Sequence, residues 1–415
     1  MIQDFELNSN LIKKISLEDK NSREESLKLF IKEGFPNKKL EEWKFTDLNK
    51  IIEENFKELK LNIPLSEKNT VLDLIKDFEH NYIILNNGVL KSENFHYEDE
   101  KKIKIQNYSQ DLLKKIEIKN PLINLNNALY EGGFYLEILE NYKFKKPLIV
   151  YNLFSEDLKS KIINNKNLIV LNDNSNLELI EFNTDISKGN FIQNNHTSIK
   201  LGNSSSLKNY TVQGCKSNGF FYKYINCTLK KDSNYDDYIF SSGLKFNKIE
   251  IDLNIEGEYS NCNIQSALFL DSNSHQEIKT QINHLKPNCK SYQKIKNVLN
   301  ESSNGAYQGK IFVKDIAQKT NAYQLSKALL LKDSSEFNAK PELEIYADDV
   351  KCSHGSTSGN MDEDSIYYLM TRGITRVDAI KLLTKAFLFE ITNSVLSKDI
   401  KNFIEKNLER QIHGY

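Results

Sequence analysis

The segment LNDNSNL, residues 171–177, decides the fold because its pattern returns five times along the following 160 or so residues. Each copy begins with leucine, continues with three mostly polar residues and then has serine. The other copies begin at Leu201, Leu229, Leu270, Leu299 and Leu331. Successive leucines are 30, 28, 41, 29 and 32 residues apart, and the long step suggests an extra hairpin or loop. A nearly constant step with a polar corner is typical of stacked coils, in which each coil completes the core of its neighbour.

Apolar and polar residues alternate with a period of two from about residue 121, as they do in β-strands. No proline occurs between Pro147 and Pro287, which suits a chain committed to sheet ladders. We therefore predict a mainly β protein whose core, residues 121–358, is a right-handed parallel β-helix (a β-solenoid). A β-sandwich is the alternative, because its strands also alternate with polar turns. The aligned leucines and serines favour the β-helix.

Residues 1–120 predict an N-terminal helical region with one hairpin. Ser22 and Glu25 have the spacing of a capping box, and Gly34 supplies a helix stop. The dipeptide Asn87-Gly88 lies between two apolar runs, which predicts a tight hairpin. Trp43 is the only tryptophan, and we expect it to anchor a core.

Residues 359–415 predict a C-terminal helical domain, with helices that open at Asp362, Thr375 and Ser397. Because a β-helix has two open ends, we expect the helices on either side of the core to cap them. The middle helix carries a main apolar stripe made of Val377, Ile380, Leu383, Phe387, Ile391 and Val395. Leu388 and Phe389 fall outside this stripe, so we expect a second apolar face to be free for a partner.

Composition excludes several classes of protein. The 56 Lys and Arg residues balance 57 Asp and Glu residues, which argues against a nucleic-acid binder. No apolar run is long enough to span a membrane, and the N-terminus does not have the pattern of a signal peptide. The five cysteines are scattered and form no C-x-x-C pair, so we expect a reduced cytoplasmic protein without a disulfide framework.

Possible chemistry is concentrated in residues 341–359, PELEIYADDVKCSHGSTSG. The parity of the apolar positions switches at Asp348-Asp349, which predicts a bulge or tight bend there. Beyond the switch, Cys352 and His354 share one strand face. We expect Gly355 and Gly359 to release the chain from the strand.

A thiolate and an imidazole on one face suit iron, copper or zinc. Two ligands do not close a site, so the others would come from elsewhere in the fold or from another chain. The alternative is a buried Cys352 beside a hydrogen-bonded His354. A Cys–His hydrolase is disfavoured, because nucleophile and base must face each other. The pair Asp348-Asp349 also allows a β-helix enzyme that acts on polysaccharides.

Four separated regions resemble the SufB/SufD family, whose members are scaffold subunits of the SUF iron–sulfur cluster assembly machinery. The main match is EIYADDVKCSHG, residues 344–355, followed by DEDSIYYLMTRGITRVDA at residues 362–379. The others are KKLEEWKFTDL at residues 38–48, LNNALYEGGF at residues 125–134 and KKPL at residues 145–148. The chain has the sequence CSHG and no clustered cysteines. In both respects it resembles the SufD branch of the family more than the SufB branch.

The resemblance implies a non-catalytic scaffold that pairs with a SufB-like paralogue through the β-helix and binds a SufC-like ABC ATPase through its C-terminal helices. It also implies a transient iron–sulfur cluster shared with the paralogue, with His354 and Cys352 as metal ligands, and it allows a flavin in the complex. The isolated chain is a possible homodimer. The residues expected to bind the ATPase are Ile366, Leu369, Met370, Leu388 and Phe389.

Overall fold

The computed structural model describes residues 17–61, 74–109, 120–185, 187 and 189–413. Its main body is a β-helix of about eight turns, built from two ten-stranded sheets that face each other. Neighbouring strands of the β-helix are parallel, and the chain alternates between the two sheets. The predicted fold class is therefore confirmed.

The first sheet contains β1 (Lys60–Leu61), β4 (Ile103–Asn107), β5 (Phe134–Ile138), β7 (Lys161–Leu171), β9 (Phe191–Leu201), β11 (Ser217–Leu229), β13 (Leu244–Ile255), β15 (His275–His284), β17 (Asn304–Val313) and β19 (Glu336–Ile345). The second sheet contains β2 (Asn81–Asn86), β3 (Val89–Asn94), β6 (Leu148–Phe154), β8 (Asn176–Asp185), β10 (Ser206–Gln213), β12 (Asn234–Ser242), β14 (Asn261–Leu270), β16 (Lys290–Leu299), β18 (Asn321–Leu330) and β20 (Lys351–Asn360).

The Leu-x3-Ser segments form the corners between the sheets. In the first five copies the residue before the serine has a positive φ, as at Asn174 (58°), a conformation that asparagine tolerates better than most residues. The hydroxyl of Ser175 then donates a 2.6 Å hydrogen bond to the carbonyl of Asn172 three residues earlier. Ser205 and Ser335 close their corners in the same way. These three corners therefore satisfy their own serine hydroxyl groups, whereas the hydroxyls of Ser274 and Ser303 are buried without a hydrogen-bond partner.

The repeat leucines stack in two ladders, one on each sheet. Leu171, Leu201 and Leu229 are in register on the first sheet, and the next residue in that ladder is Ile255. Leu270 pairs with Leu299 on the second sheet, although Leu330, not Leu331, follows there. The expectation of an extra hairpin or loop between Leu229 and Leu270 is therefore wrong. That step contains one ordinary coil and the change of sheet.

The hairpin at Asn87-Gly88 is confirmed, since β2 and β3 are antiparallel and both turn residues have positive φ. Strands β1 to β4 pair with both sheets of the β-helix, although they precede residue 120. The division of the chain into three domains stays a prediction. Short 3-10 helices cover Glu41–Trp43, Glu100–Lys102 and Glu156–Leu158.

Among the described residues, the N-terminal half of the chain contains three α-helices, α1 (Leu17–Glu33), α2 (Leu48–Asn55) and α3 (Pro121–Leu129). They pack on the outer face of the first sheet, where Trp43 is 1% exposed. Helix α1 begins before the capping box expected at Ser22, and Gly34 follows its end with φ 73°.

The C-terminal helices are α4 (Glu363–Thr371), α5 (Arg376–Thr392) and α6 (Lys398–His413). Asp362 and Thr375 cap α4 and α5 as expected. Helices α5 and α6 pack on the outer face of the second sheet. The expectation that the helices cap the ends of the β-helix is therefore wrong, because the apolar outer faces of both sheets also need covering.

Candidate functional site

The candidate site lies on β20, the last strand of the second sheet. Cys352 is in register with Ala322 on β18, and His354 is in register with Gln324. Cys352 is half-buried against a small apolar cluster at the end of the lumen, whereas His354 is exposed. Alternation along the strand gives both side chains the same face, the one that lines the lumen. The thiol and the imidazole therefore stand together at the open end of the β-helix.

The acidic pair forms a corner between the two sheets. The chain leaves β19 at Ile345 and enters β20 at Lys351, so the parity switch reflects a change of sheet and not a bulge. The backbone of Asp349 accepts a hydrogen bond from Lys319 and donates one to Gln318. Both carboxylates are exposed. They flank the corner, and no contact to His354 ties them to the imidazole.

The two glycines do not release the chain, as β20 continues to Asn360. A methyl group at Gly355 would meet Leu325 at ordinary contact distance, and Gly359 borders open space. The strand persists because its ladder with β18 runs along its whole length, from Lys351 to Asn360. This expectation is therefore wrong, since backbone pairing outweighs the weak preference of glycine against strands.

Burial raises the pKa of the Cys352 thiol, and a backbone hydrogen bond from Ala322 offsets this only in part. The thiol is therefore poorly prepared to ionise and bind metal in the isolated chain. Across the described residues, no group of three or more His, Cys, Asp or Glu side chains is arranged to hold a metal ion. Cys352 and His354 provide at most half of a ligand set.

A buried polar stack lies in the lumen directly beneath His354. Gln324 is 2% exposed, and its carbonyl oxygen accepts a 3.3 Å hydrogen bond from the Tyr307 hydroxyl. The single proton of this hydroxyl is shared with the carbonyl oxygen of Gln293, one coil further in, at 3.1 Å. Sequence reasoning missed these residues. The spacing contains the signal, because Gln293, Gln324 and His354 follow one another at the step of the repeat.

The residues expected to bind the ATPase divide into two groups. Leu388 is fully buried against the second sheet and Ile366 is 1% exposed, so neither offers a free surface. Phe389 is partly buried in the same cluster, and Leu369 is also partly buried. Met370 is 41% exposed. The expectation that Leu388 lies on a free apolar face of α5 is therefore wrong.

The exposed apolar residues of this region lie instead on α4 and the first half of α5. We define the α4–α5 surface by five of them, Tyr367, Tyr368, Met370, Val377 and Leu382. Val377 was expected to face inward but is 61% exposed. The small residues Ala379 and Thr384 of α5 are buried instead.

Comparison with known proteins now identifies the family. Residues 154–387 match the family described as "SUF system FeS cluster assembly, SufBD core domain", and residues 1–150 match "SufBD protein N-terminal region". The chain belongs to the SufBD family. The core match spans more than half of the chain and most of the β-helix.

Several relatives align along most of this chain. The iron–sulfur cluster assembly protein SufD of Escherichia coli is 22% identical over 399 residues, which cover 94% of this chain and 92% of that protein. A SufBD family protein of Synechocystis is 25% identical over 90% of this chain and 87% of its own length. SufD of Bacillus subtilis is 24% identical over 73% of this chain and 71% of its own length.

These findings make the chain a SufD-like iron–sulfur cluster assembly protein. Within the described residues, no helix is both long enough and apolar enough to cross a membrane.

Proposed function

We propose that the chain is a non-catalytic scaffold subunit of a cytoplasmic SUF complex, with a SufB-like paralogue and a SufC-like ATPase as its partners. The nascent iron–sulfur cluster is built near the interface with the paralogue. The observation that carries this proposal is the position of His354 and Cys352, on one face of the last strand, at the open end of the lumen. Two soft or borderline ligands need a second chain to complete a site.

The end of the β-helix supports pairing with a paralogue. β19 and β20 are the last strands of their sheets, and each pairs with only one neighbouring strand. Most residues of β20 are exposed, and its ten residues form a long, unpaired edge. Such edges attract other strands unless they are covered. A second β-helix is the partner whose edges match both sheets at once, and a second copy of this chain is the corresponding homodimer.

The α4–α5 surface supports binding of the ATPase. Its five apolar side chains are between 41% and 69% exposed, and they lie on helices beyond the β-helix. Exposed apolar groups clustered in this way mark protein interaction sites. In this proposal Met370 keeps its expected role. Leu388 and Ile366 are buried, and Leu369 and Phe389 are partly buried, so these four are not part of the proposed surface.

A β-helix enzyme that acts on polysaccharides is the alternative, and it would need a groove lined by carboxylates and arginine. The chain has only four arginines, at positions 23, 372, 376 and 410, so none lies on a strand of the β-helix. A groove lined by carboxylates and arginine cannot form there. The scaffold therefore explains the surface better than the enzyme does.

The central experiment is anaerobic co-expression with the two partners, followed by measurement of iron and sulfide in the purified complex. His354→Ala should leave the complex assembled, because one truncated side chain removes little from a large interface. It should cut iron and sulfide severely, and Cys352→Ser should have a milder effect. Ser358→Ala, at another exposed position of β20, is the matched control and should have no effect. Visible absorbance of the same preparation tests for a flavin.

A normal cluster load in the His354→Ala complex would contradict the proposed site. Failure of this variant to assemble would instead make His354 an interface packing residue.

The ATPase surface needs surface variants, because truncation at residue 359 would uncover the apolar outer face of the second sheet. The double variant Tyr367→Ser/Val377→Ser should lose the co-purifying ATPase but keep the paralogue. Leu396→Ser changes an apolar residue that is 81% exposed and lies outside the surface, so it should retain both partners. Retention of the ATPase by the double variant would rule out this surface.

A further inference from the structure

We propose that Gln324 is a positioning residue for His354, and that its side-chain carbonyl accepts the inward N–H of the imidazole. This inference rests on the proposed function, in which His354 binds iron of the nascent cluster. The starting observation is the register of β18 and β20, which places Gln324 directly under His354 on the face that lines the lumen. Gln324 is 2% exposed, so His354 closes the mouth of a buried polar stack.

The orientation of the Gln324 amide is fixed by its contact with β19. Its NH2 group donates a 3.2 Å hydrogen bond to the backbone carbonyl of Glu342, a group that can only accept. Its oxygen accepts a hydrogen bond from Tyr307, whose hydroxyl stays protonated because burial raises the pKa of Tyr307. A flipped amide would lose the bond to Glu342 and place its own oxygen against that carbonyl. The carbonyl oxygen therefore keeps one lone pair for another donor.

The space for this arrangement is built into the backbone. A Cβ atom at Gly309 would overlap both the Tyr307 hydroxyl and the Gln324 carbonyl oxygen. Glycine at this position therefore leaves the room in which the two side chains meet. Tyr307 is supported from below by Gln293, whose oxygen also accepts a hydrogen bond from Thr280. The stack is thus rigid beneath Gln324 and open above it.

The chemistry of a metal-binding histidine explains why such a stack would lie here. One ring nitrogen gives its lone pair to the metal, and the other carries hydrogen and donates it to a carbonyl or carboxylate. Gln324 offers a carbonyl on the lumen side of His354. The opposite nitrogen then points out of the open end, towards the partner and the cluster. Gln324 would in this way select the tautomer and the ring orientation that iron requires.

The test is nitrogen NMR of the full chain labelled with 15N only in its seven histidines, alone and in complex with unlabelled partners. The signal of His354 is identified by its loss in His354→Ala. We expect one neutral tautomer to predominate, and we expect Gln324→Leu to give a mixture of both. Tyr307→Phe, which frees the Gln324 amide, should give a smaller change in the same direction.

Gln276→Leu is the matched control, because Gln276 is another fully buried glutamine, on β15, two coils from the open end. It should leave the tautomer of His354 unchanged. Ferrous iron titration of the complex provides the second readout. Loss of a supporting hydrogen bond typically weakens metal binding by roughly 10-fold to 100-fold, and we expect a loss in that range for Gln324→Leu.

Unchanged tautomer populations in Gln324→Leu, alone and in the complex, would overturn the proposal even if the cluster load fell. This outcome differs from failure of the proposed function. If His354→Ala carries a full cluster load, or if no complex forms, the assembly site is wrong, while the tautomer of the labelled chain still reports whether Gln324 orients the ring.

Discussion

The region around Trp43 and the last coil of the β-helix both concentrate polar side chains, but only the first is sealed. Beneath Trp43, the ammonium group of Lys248 lies 4.5 Å from the indole ring and forms an ion pair with Glu277. Both charged side chains are completely buried. At the last coil, His354 is exposed and Gln324 keeps an unused lone pair.

The difference lies in what the polar groups bind. The carboxylate of Glu277 accepts hydrogen bonds from Lys248, Thr46 and Gln308, and Lys248 also donates to the carbonyl of Glu42. This network holds the segment at residues 38–48 on the sheet and uses both carboxylate oxygens of Glu277 within the chain. The last coil instead exposes donors and acceptors that its own chain does not use. We infer that polar residues support stability in the first region and recognition in the second.

The strongest way to break this comparison is to remove one charge from the sealed region. Glu277→Ala removes the nearer of the two carboxylates beside the buried Lys248 and leaves only Glu250, at 3.7 Å. Removing one partner of a buried pair costs about 3–5 kcal/mol. We expect the free energy of unfolding to fall by that amount. Urea denaturation followed by fluorescence measures it, since Trp43 is the only tryptophan and lies on the network.

The double variant Lys248→Met/Glu277→Leu is the control for an isolated charge. It should be less destabilised than Glu277→Ala, because both charges of the pair are removed and the buried Glu250 keeps Lys279, at 3.5 Å, as its counter-ion. If the single variant loses less than about 1 kcal/mol, the network does not stabilise the fold, and the contrast between the two regions fails.

A charged side chain of intermediate exposure should have an intermediate effect on the free energy of unfolding. Glu390 on α5 is 48% exposed and bridges Lys294 and Lys296 on the second sheet. Hydrogen bonds from both lysines lower the pKa of Glu390 to about 2. Solvent screens a half-exposed carboxylate, so we expect Glu390→Gln to cost about 1 kcal/mol at neutral pH, and less at high salt.

The pH dependence of this prediction has a definite sign. Because the folded pKa of Glu390 lies below its ordinary value of 4.5, its contribution is complete above pH 4.5 and is lost as pH falls towards 2. The difference in unfolding free energy between the natural chain and Glu390→Gln should therefore shrink over that interval. A difference that grows on acidification would contradict the proposed ion pair.

Much of the fold could be predicted from the sequence because its decisive signals are local. Each of the first five repeat corners combines a leucine, a residue with positive φ and a serine, all within five positions. The Lys248–Glu277 network was missed because the hydrogen bond between Lys248 and Glu42 joins positions 206 residues apart. No local pattern shows which outer polar residues a distant segment will cover.

The candidate site could be predicted in part for the same reason. The shared face of Cys352 and His354 follows from strand alternation, and the family motif names the same residues. The buried face of α5 could not be predicted, because apolar residues surround most of that helix. Periodicity alone then does not distinguish Val377, which is exposed, from Leu388, which is buried.

The smallest expected change in stability is at the open end. His354→Ala removes an exposed side chain from the last strand, so the free energy of unfolding should change by no more than about 0.5 kcal/mol. Trp43 fluorescence and the urea midpoint should both stay unchanged. The same substitution is expected to have the largest effect on cluster load, which makes the two regions opposite in what they control. If His354→Ala destabilises the isolated chain as strongly as Glu277→Ala does, the imidazole is part of the folded core. The open end would then be a second sealed region and not a surface kept for a partner.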